Sequence, residues 1–128
     1  MIATILLLLV DDDAGVRLIL EEALKDGGYE VASAKDGAEA LAVLQSRSAD
    51  LRGVITDVDL GRGPDGWDVA RHARELSPDI PVVYMSGASA HAWSAQGVPN
   101  STIIQKPFAG AQVVTAISAL INVSDARH

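Results

Sequence analysis

Five short apolar segments alternate with five segments of helical periodicity, and this alternation constrains the fold more than any other feature of the chain. The apolar segments read TILLLLV, YEVASA, GVITD, IPVVYMSG and STIIQ. After each of them, apolar residues recur three or four positions apart, as in a helix with one buried face. Strands that are apolar throughout are typical of a parallel sheet with helices on both faces. The pattern therefore predicts an α/β fold with a doubly wound, five-stranded parallel sheet.

Helix limits are predicted from periodicity and from the residues that start or stop helices. The predicted helices cover 16–24, 36–48, 65–76, 89–97 and 109–121. Asp36 is suited to cap the second helix, while Gly27-Gly28 and Ser77-Pro78 end the first and the third. The fourth helix is short and has the weakest pattern of the five.

The length and charge of the chain restrict its functional class. A chain of 128 residues suits one compact domain, so we expect residues 1–128 to form a single domain with no output domain. A net charge of −7 argues against direct binding of nucleic acid. The apolar start lacks a basic region and runs into acidic residues, which favours a buried strand over a signal peptide or a membrane span. The absence of cysteine fits a reducing compartment, and we expect a cytoplasmic protein that does not contact the membrane.

Acidic, hydroxyl and basic side chains follow four of the five predicted strands. They are Asp11, Asp12 and Asp13 after the first strand, Asp57 at the end of the third, Ser86 in the fourth and Lys106 after the fifth. The carboxyl ends of parallel strands meet at one edge of the sheet, which is where doubly wound folds bind ligands. We therefore expect these side chains to converge on one site.

The chemistry of this set favours a divalent cation and phosphoryl transfer. Adjacent carboxylates repel one another, and burying one without a partner costs several kcal/mol, so a cation is expected. Carboxylate oxygens suit Mg²⁺. A carboxylate such as Asp57 is also a nucleophile toward phosphorus, while the Lys106 ammonium and the Ser86 hydroxyl can bind phosphoryl oxygens.

These residues, in this order, resemble the receiver domains of bacterial two-component response regulators over essentially the whole chain. The motifs that carry the resemblance are VDDD, VITDVDL, YMSGAS and QKPF. The resemblance implies the flavodoxin-like strand order 2-1-3-4-5. The implied roles are Mg²⁺ binding by Asp11, Asp12, Asp57 and the backbone carbonyl of Asp59, phosphate acceptance by Asp57, switching by the Ser86 hydroxyl and phosphate sensing by Lys106. Asp13 falls outside the matched acidic pair, and we interpret it as a helix cap.

The resemblance also implies a function and partners. Asp57 would receive a phosphoryl group from a sensor histidine kinase or a phosphotransfer protein in a Mg²⁺-dependent reaction. The α4-β5-α5 face, formed by helix 89–97, strand 101–105 and helix 109–121, would then change and be recognised by a downstream protein. We therefore expect a phosphoacceptor signalling domain with self-catalysed phosphotransfer and dephosphorylation, not an enzyme that acts on other substrates.

Three features depart from the receiver pattern or stand outside it. Ile103 lies three residues before Lys106, where receivers generally have an aromatic residue, so we expect the signal to pass through the loop after the fourth strand and the fourth helix. Gly61 replaces the usual proline four residues after Asp57, which predicts a more mobile loop. The arginines of the third helix and the preceding loop, Arg62, Arg71 and Arg74, are interpreted as a solvated face, with a docking patch as the alternative.

Two other functions stay open on the sequence. A pseudo-receiver would use the same fold as a binding scaffold without being phosphorylated. The segment ITDVDL is also similar to the nucleophile motif of haloacid-dehalogenase phosphatases, although those enzymes place that motif after the first strand of a larger core.

Overall fold

A computed structural model describes residues 4–126 and forms one parallel sheet with strand order β2-β1-β3-β4-β5. The strands are β1 (Ile5–Val10), β2 (Tyr29–Ala34), β3 (Leu51–Asp57), β4 (Val82–Ser86) and β5 (Thr102–Gln105). The helices are α1 (Ala14–Asp26), α2 (Gly37–Arg47), α3 (Gly66–Leu76), α4 (Trp93–Gln96) and α5 (Gly110–Ala126). The predicted fold class and strand order are confirmed.

The interior strand β1, which lies between β2 and β3, is apolar throughout because both of its faces are buried. Leu7 and Leu9 pack in a cluster with residues of α1 and α5. Leu6, Leu8 and Val10 point the other way and pack with residues of α2 and α3. The carboxyl end of β1 is therefore covered on both sides, which fixes the position of the acidic residues that follow it.

The N-termini of three helices are capped by aspartates. The Asp13 carboxylate accepts hydrogen bonds from the backbone N–H groups of Gly15 at 2.8 Å and Val16 at 3.1 Å, which confirms its predicted role as a cap. Asp36 caps α2, and Asp65 caps α3. Each cap lies in a loop that follows a strand, so the caps also fix the direction in which the chain leaves the sheet.

Helix α4 is shorter than predicted, and the segment after it is held by α3. A 3₁₀ turn at Ala90–Ala92 leads into a single turn of α-helix at Trp93–Gln96. Arg74 of α3 donates hydrogen bonds to the carbonyl oxygens of Ile80 at 2.7 Å and Pro99 at 2.6 Å. The prediction of a solvated face is therefore wrong for Arg74, because its guanidinium supplies donors to carbonyls that no helix satisfies.

Within residues 4–126, no helix has the length and apolar character needed to cross a membrane.

Candidate functional site

Three carboxylates meet at the carboxyl edge of the sheet. β1 and β3 are neighbours and pair in parallel, so the residue after β1 lies beside the last residue of β3. One carboxylate oxygen each of Asp11, Asp12 and Asp57 lies within 4.8 Å of the others. Asp11 is 0 % exposed and Asp57 4 %, whereas Asp12 is exposed. We call these three residues the acid group.

Asp11 has an unsatisfied oxygen deep in this group. Its Oδ1 accepts a hydrogen bond from the backbone N–H of Asp13 at 2.9 Å, but its buried Oδ2 accepts none from the described residues. The Nζ of Lys106 lies 4.0 Å from that oxygen. Burial, reinforced by the charges of Asp57 and Asp12, raises the pKa of Asp11 to about 6 despite the Asp13 hydrogen bond. An oxygen of this kind is suited to ligate a cation.

Asp57 is paired with Lys106. Lys106 Nζ donates a hydrogen bond to Asp57 Oδ2 at 3.1 Å, and the backbone N–H of Asp59 donates to Oδ1 at 3.3 Å. Burial raises the pKa of Asp57 by more than these donors lower it. Burial also acts to lower the pKa of Lys106, but its hydrogen bond to Asp57 and the nearby carboxylates raise it overall. One ammonium thus faces three carboxylates, which leaves the site short of positive charge.

Ser86 ends β4 and is completely buried. Its Oγ accepts a hydrogen bond from the backbone N–H of Ser89 at 3.0 Å. The Ser89 hydroxyl in turn donates to Asp59 Oδ1 at 3.1 Å. The backbone N–H of Lys106 donates to the carbonyl oxygen of Ser86 at 2.8 Å, so the ends of β4 and β5 are held together.

The loop between β3 and α3 is shaped by glycines. A Cβ on Gly66 would lie 2.2 Å from the carbonyl oxygen of Asp57, so no other residue fits there without movement of the backbone. Gly61 and Gly63 have φ angles of 77° and 85°, in the left-handed region that favours glycine. The chain thus turns away from Asp57 and leaves its carboxylate facing Asp11 and Asp12.

Of the site residues predicted from the sequence, some are in direct contact with one another and others are linked through a neighbouring loop. Asp11, Asp12, Asp57 and Lys106 converge directly. The Ser86 hydroxyl and the Asp59 carboxylate both accept hydrogen bonds from Ser89, in the loop after β4. The backbone N–H of Asp59 donates to Asp57.

Two residues at the site were not predicted. Arg17 of α1 donates a hydrogen bond from Nη1 to the carbonyl oxygen of Asp11 at 2.7 Å. Its position one turn after the Asp13 cap was the only signal for this contact. Ser89 follows Ser86 by three residues, a spacing at which a serine side chain often bonds a backbone N–H, although that pattern does not point to Asp59.

Known proteins of one family match this chain in sequence and in structure. The family model of the response regulator receiver domain matches residues 7–118. A response regulator receiver protein from Sinorhizobium medicae WSM419 has a crystal structure with a TM-score of 0.91 and 45% sequence identity, covering 94% of this chain and 97% of that one.

Curated relatives give the same result. The response regulator receiver protein CpdR of Brucella abortus is 30% identical over 117 residues, which is 90% of this chain and 95% of that protein. The response regulator MprA of Mycobacterium sp. (strain KMS) is 32% identical over 90% of this chain, but the match covers 50% of MprA. The chain spans half or less of the length of several of the curated relatives that it matches.

Proposed function

The chain belongs to the response regulator receiver domain family, and from this membership we propose that Asp57 accepts a phosphoryl group in a Mg²⁺-dependent reaction. The observation that carries the proposal is the acid group with Lys106 hydrogen-bonded to Asp57. Receiver domains bind Mg²⁺ at a pocket of aspartates and are phosphorylated by sensor kinases, and the geometry of this site is compatible with both.

The donor set fits a hard divalent cation. It consists of oxygens alone, it is short of positive charge, and it includes the buried Oδ2 of Asp11 with no hydrogen-bond donor among the described residues. Asp11, Asp12 and Asp57 would hold Mg²⁺ together with the backbone carbonyl of Asp59. When bound, Mg²⁺ supplies charge that offsets the carboxylates and the incoming phosphoryl oxygens.

In the proposed reaction a carboxylate oxygen of Asp57 attacks the phosphorus of the donor. A P–O bond to Asp57 forms while the P–N bond of a phosphohistidine breaks, and the imidazole leaves with the electron pair. An ionised carboxylate needs no general base. Lys106, which already donates to Asp57 Oδ2, is placed to pair with a phosphoryl oxygen as negative charge arrives.

The response to phosphorylation would begin at the end of β4. We propose that the Ser86 hydroxyl turns toward a phosphoryl oxygen and that the loop after β4 follows it. Ile103 is partly buried and packs against the core on the α2 and α3 side, together with Ala92 of the 3₁₀ turn. The packing of both residues against the same cluster supports an output path through the loop and α4 to the α4-β5-α5 face, where a downstream protein would bind.

An apolar groove beside the site suits a phosphodonor protein. The groove, of about 530 Å³, lies between α1 and the start of α5, with Lys106 and Phe108 in its lining. Ile19 of α1, which also lines the groove, is 63% exposed, which is high for a large apolar side chain. We propose that a sensor histidine kinase or a phosphotransfer protein docks on this groove and brings its phosphohistidine to Asp57.

Intact-mass measurement after incubation with acetyl phosphate and Mg²⁺ tests the proposal. We expect an adduct of about 80 Da that is lost with EDTA and in Asp57→Ala. The matched control is Asp50→Ala, which removes an exposed carboxylate just before β3, at the opposite edge of the sheet. An adduct that persists in Asp57→Ala would contradict the assignment of the acceptor. A folded protein that accepts phosphate from neither acetyl phosphate nor a kinase would favour the binding scaffold.

A further inference from the structure

Ser89 joins the two loops that flank the acid group. Its backbone N–H donates to Ser86 Oγ at 3.0 Å, and its hydroxyl donates to Asp59 Oδ1 at 3.1 Å, with Oδ2 at 3.4 Å. Ser86 is the last residue of β4, and Asp59 lies in the loop after β3. Ser89 thus connects the buried hydroxyl at the end of β4 to a carboxylate in the loop after the neighbouring strand β3.

We propose that Ser89 is a positioning residue that holds the site in its unphosphorylated arrangement and sets how readily the site takes up a phosphoryl group. The proposal rests on the proposed function, because it concerns the same Ser86 hydroxyl and the same acceptor, Asp57.

The hydrogen bond from the Ser89 N–H ties the position of Ser89 to that of Ser86. Ser86 is 0 % exposed, so its hydroxyl relies on partners within the protein. If Ser86 Oγ moves toward a phosphoryl oxygen on Asp57, its distance from the Ser89 N–H increases. Ser89 must then follow Ser86 or lose this partner. If Ser89 follows, its side chain moves relative to Asp59, to which its hydroxyl is bonded.

Asp59 is hydrogen-bonded through both its backbone and its side chain. Its backbone N–H donates to Asp57 Oδ1 at 3.3 Å, while its carboxylate accepts from Ser89. The hydroxyl of Ser89 therefore holds the peptide that faces the acceptor. It also holds the Asp59 carboxylate, a fourth acidic side chain beside the three of the acid group, against the loop after β4. Movement of Ser89 with Ser86 would weaken the hydrogen bond between the Ser89 hydroxyl and Asp59. This bond therefore favours the unphosphorylated arrangement.

The test uses beryllium fluoride with Mg²⁺, a mimic of the phosphoryl group on a carboxylate, and measures its apparent Kd on the full chain. Ser89→Ala removes the hydroxyl but keeps the backbone N–H. Since the lost bond joins a hydroxyl to a charged group near the surface, we expect binding about two- to tenfold tighter than in the wild type. Ser89→Thr keeps a hydroxyl and should match the wild type. Ser94→Ala, an exposed serine of α4, is the control and should also match it.

A double-mutant cycle ties the effect to the bond itself. In an Asp59→Ala background, Ser89→Ala should cause no further change in the apparent Kd. Unchanged or weaker binding by Ser89→Ala, or an equal gain in both backgrounds, would overturn the proposal. Thermal unfolding of each variant shows whether it is folded. If Ser89→Ala does not fold, Asp59→Ala takes its place, because it removes the acceptor of the same hydrogen bond. Failure of the wild type to bind beryllium fluoride would contradict the proposed function as well, whereas binding without the Ser89 effect contradicts Ser89 alone.

Discussion

The two halves of the site are built differently. The acid half consists of β1, β3 and the loops after them, and its key carboxylates, Asp11 and Asp57, are almost completely buried. The response half consists of β4, β5 and the segments after them. There the side chain of Lys106 is 35% exposed, and α4 is a single turn that carries a Trp93 exposed to 37%.

This difference indicates that the acid half provides fixed negative charge and that the response half provides contacts that can rearrange. Buried carboxylates between packed strands cannot move far, so their mutual repulsion persists until a cation or a proton relieves it. A lysine and a loop at the edge of the sheet have room to rearrange when the charge of the acid half changes. The following predictions test this contrast, beginning with the largest effect.

The first prediction compares two glycines, one packed against the acid half and one in the response half. In Gly66→Ala the new methyl group would lie 2.2 Å from the carbonyl oxygen of Asp57, so we expect a loss of at least about 3 kcal/mol in the free energy of unfolding. A Cβ on Gly87, directly after β4, meets nothing within 4 Å, and Gly87→Ala should cost less than about 1 kcal/mol. Urea unfolding of both variants measures the difference. Similar losses in the two variants would remove the contrast in packing.

The second prediction concerns the buried charge of Asp11. Its pKa is raised from 3.8 to about 6, so the folded state favours the neutral form. The stabilising contribution of neutral Asp11 is complete below about pH 3.8 and is lost as the pH rises through 6. At about 1.4 kcal/mol per pKa unit, the loss is roughly 3 kcal/mol at pH 8. Without Mg²⁺, Asp11→Asn should therefore be more stable than the wild type at pH 8 by about that amount.

Two controls accompany this measurement. At pH 4 the advantage of Asp11→Asn should largely disappear, because Asp11 of the wild type is then mostly neutral. Millimolar Mg²⁺ should raise the unfolding temperature of the wild type more than that of the variant. If Asp11→Asn were the less stable protein at pH 8, the Asp11 carboxylate would already be well paired in the acid half.

The third and smallest effect is expected in the fluorescence of Trp93. Its indole N–H donates to Ser101 Oγ at 3.0 Å, whereas Trp67 is buried beside Tyr84. We expect a modest change in tryptophan emission when beryllium fluoride and Mg²⁺ are added, and no change in Trp93→Phe. A signal that survives in Trp93→Phe would come from Trp67 and would place the response in the core.

Sequence reasoning was most reliable where the sheet itself decides the geometry. Parallel strands bring their carboxyl ends together, so the meeting of Asp11 with Asp57 follows once the strands are recognised. The cap at Asp13 is local and was equally predictable.

The response half was harder to predict because its contacts join distant segments through loop backbone. The hydrogen bonds of Arg74 to the chain after α4 depend on how early that helix ends. The bond from Ser89 to Asp59 depends on the dihedral angles of two separate loops. No residue pattern encodes either contact, since a serine in a loop and an arginine near the end of a surface helix are usually solvated.

Hydrogen exchange with and without beryllium fluoride and Mg²⁺ tests the division between the two halves most directly. We expect changed exchange in peptides covering 87–97 and 106–109, with the interior of β1 and β3 unchanged. Ser86→Ala should reduce the change at 87–97, because the loop after β4 would lose the hydroxyl that moves it. Changes spread equally through β1 and β3, or confined to them, would contradict the account of a fixed acid half and a movable response half.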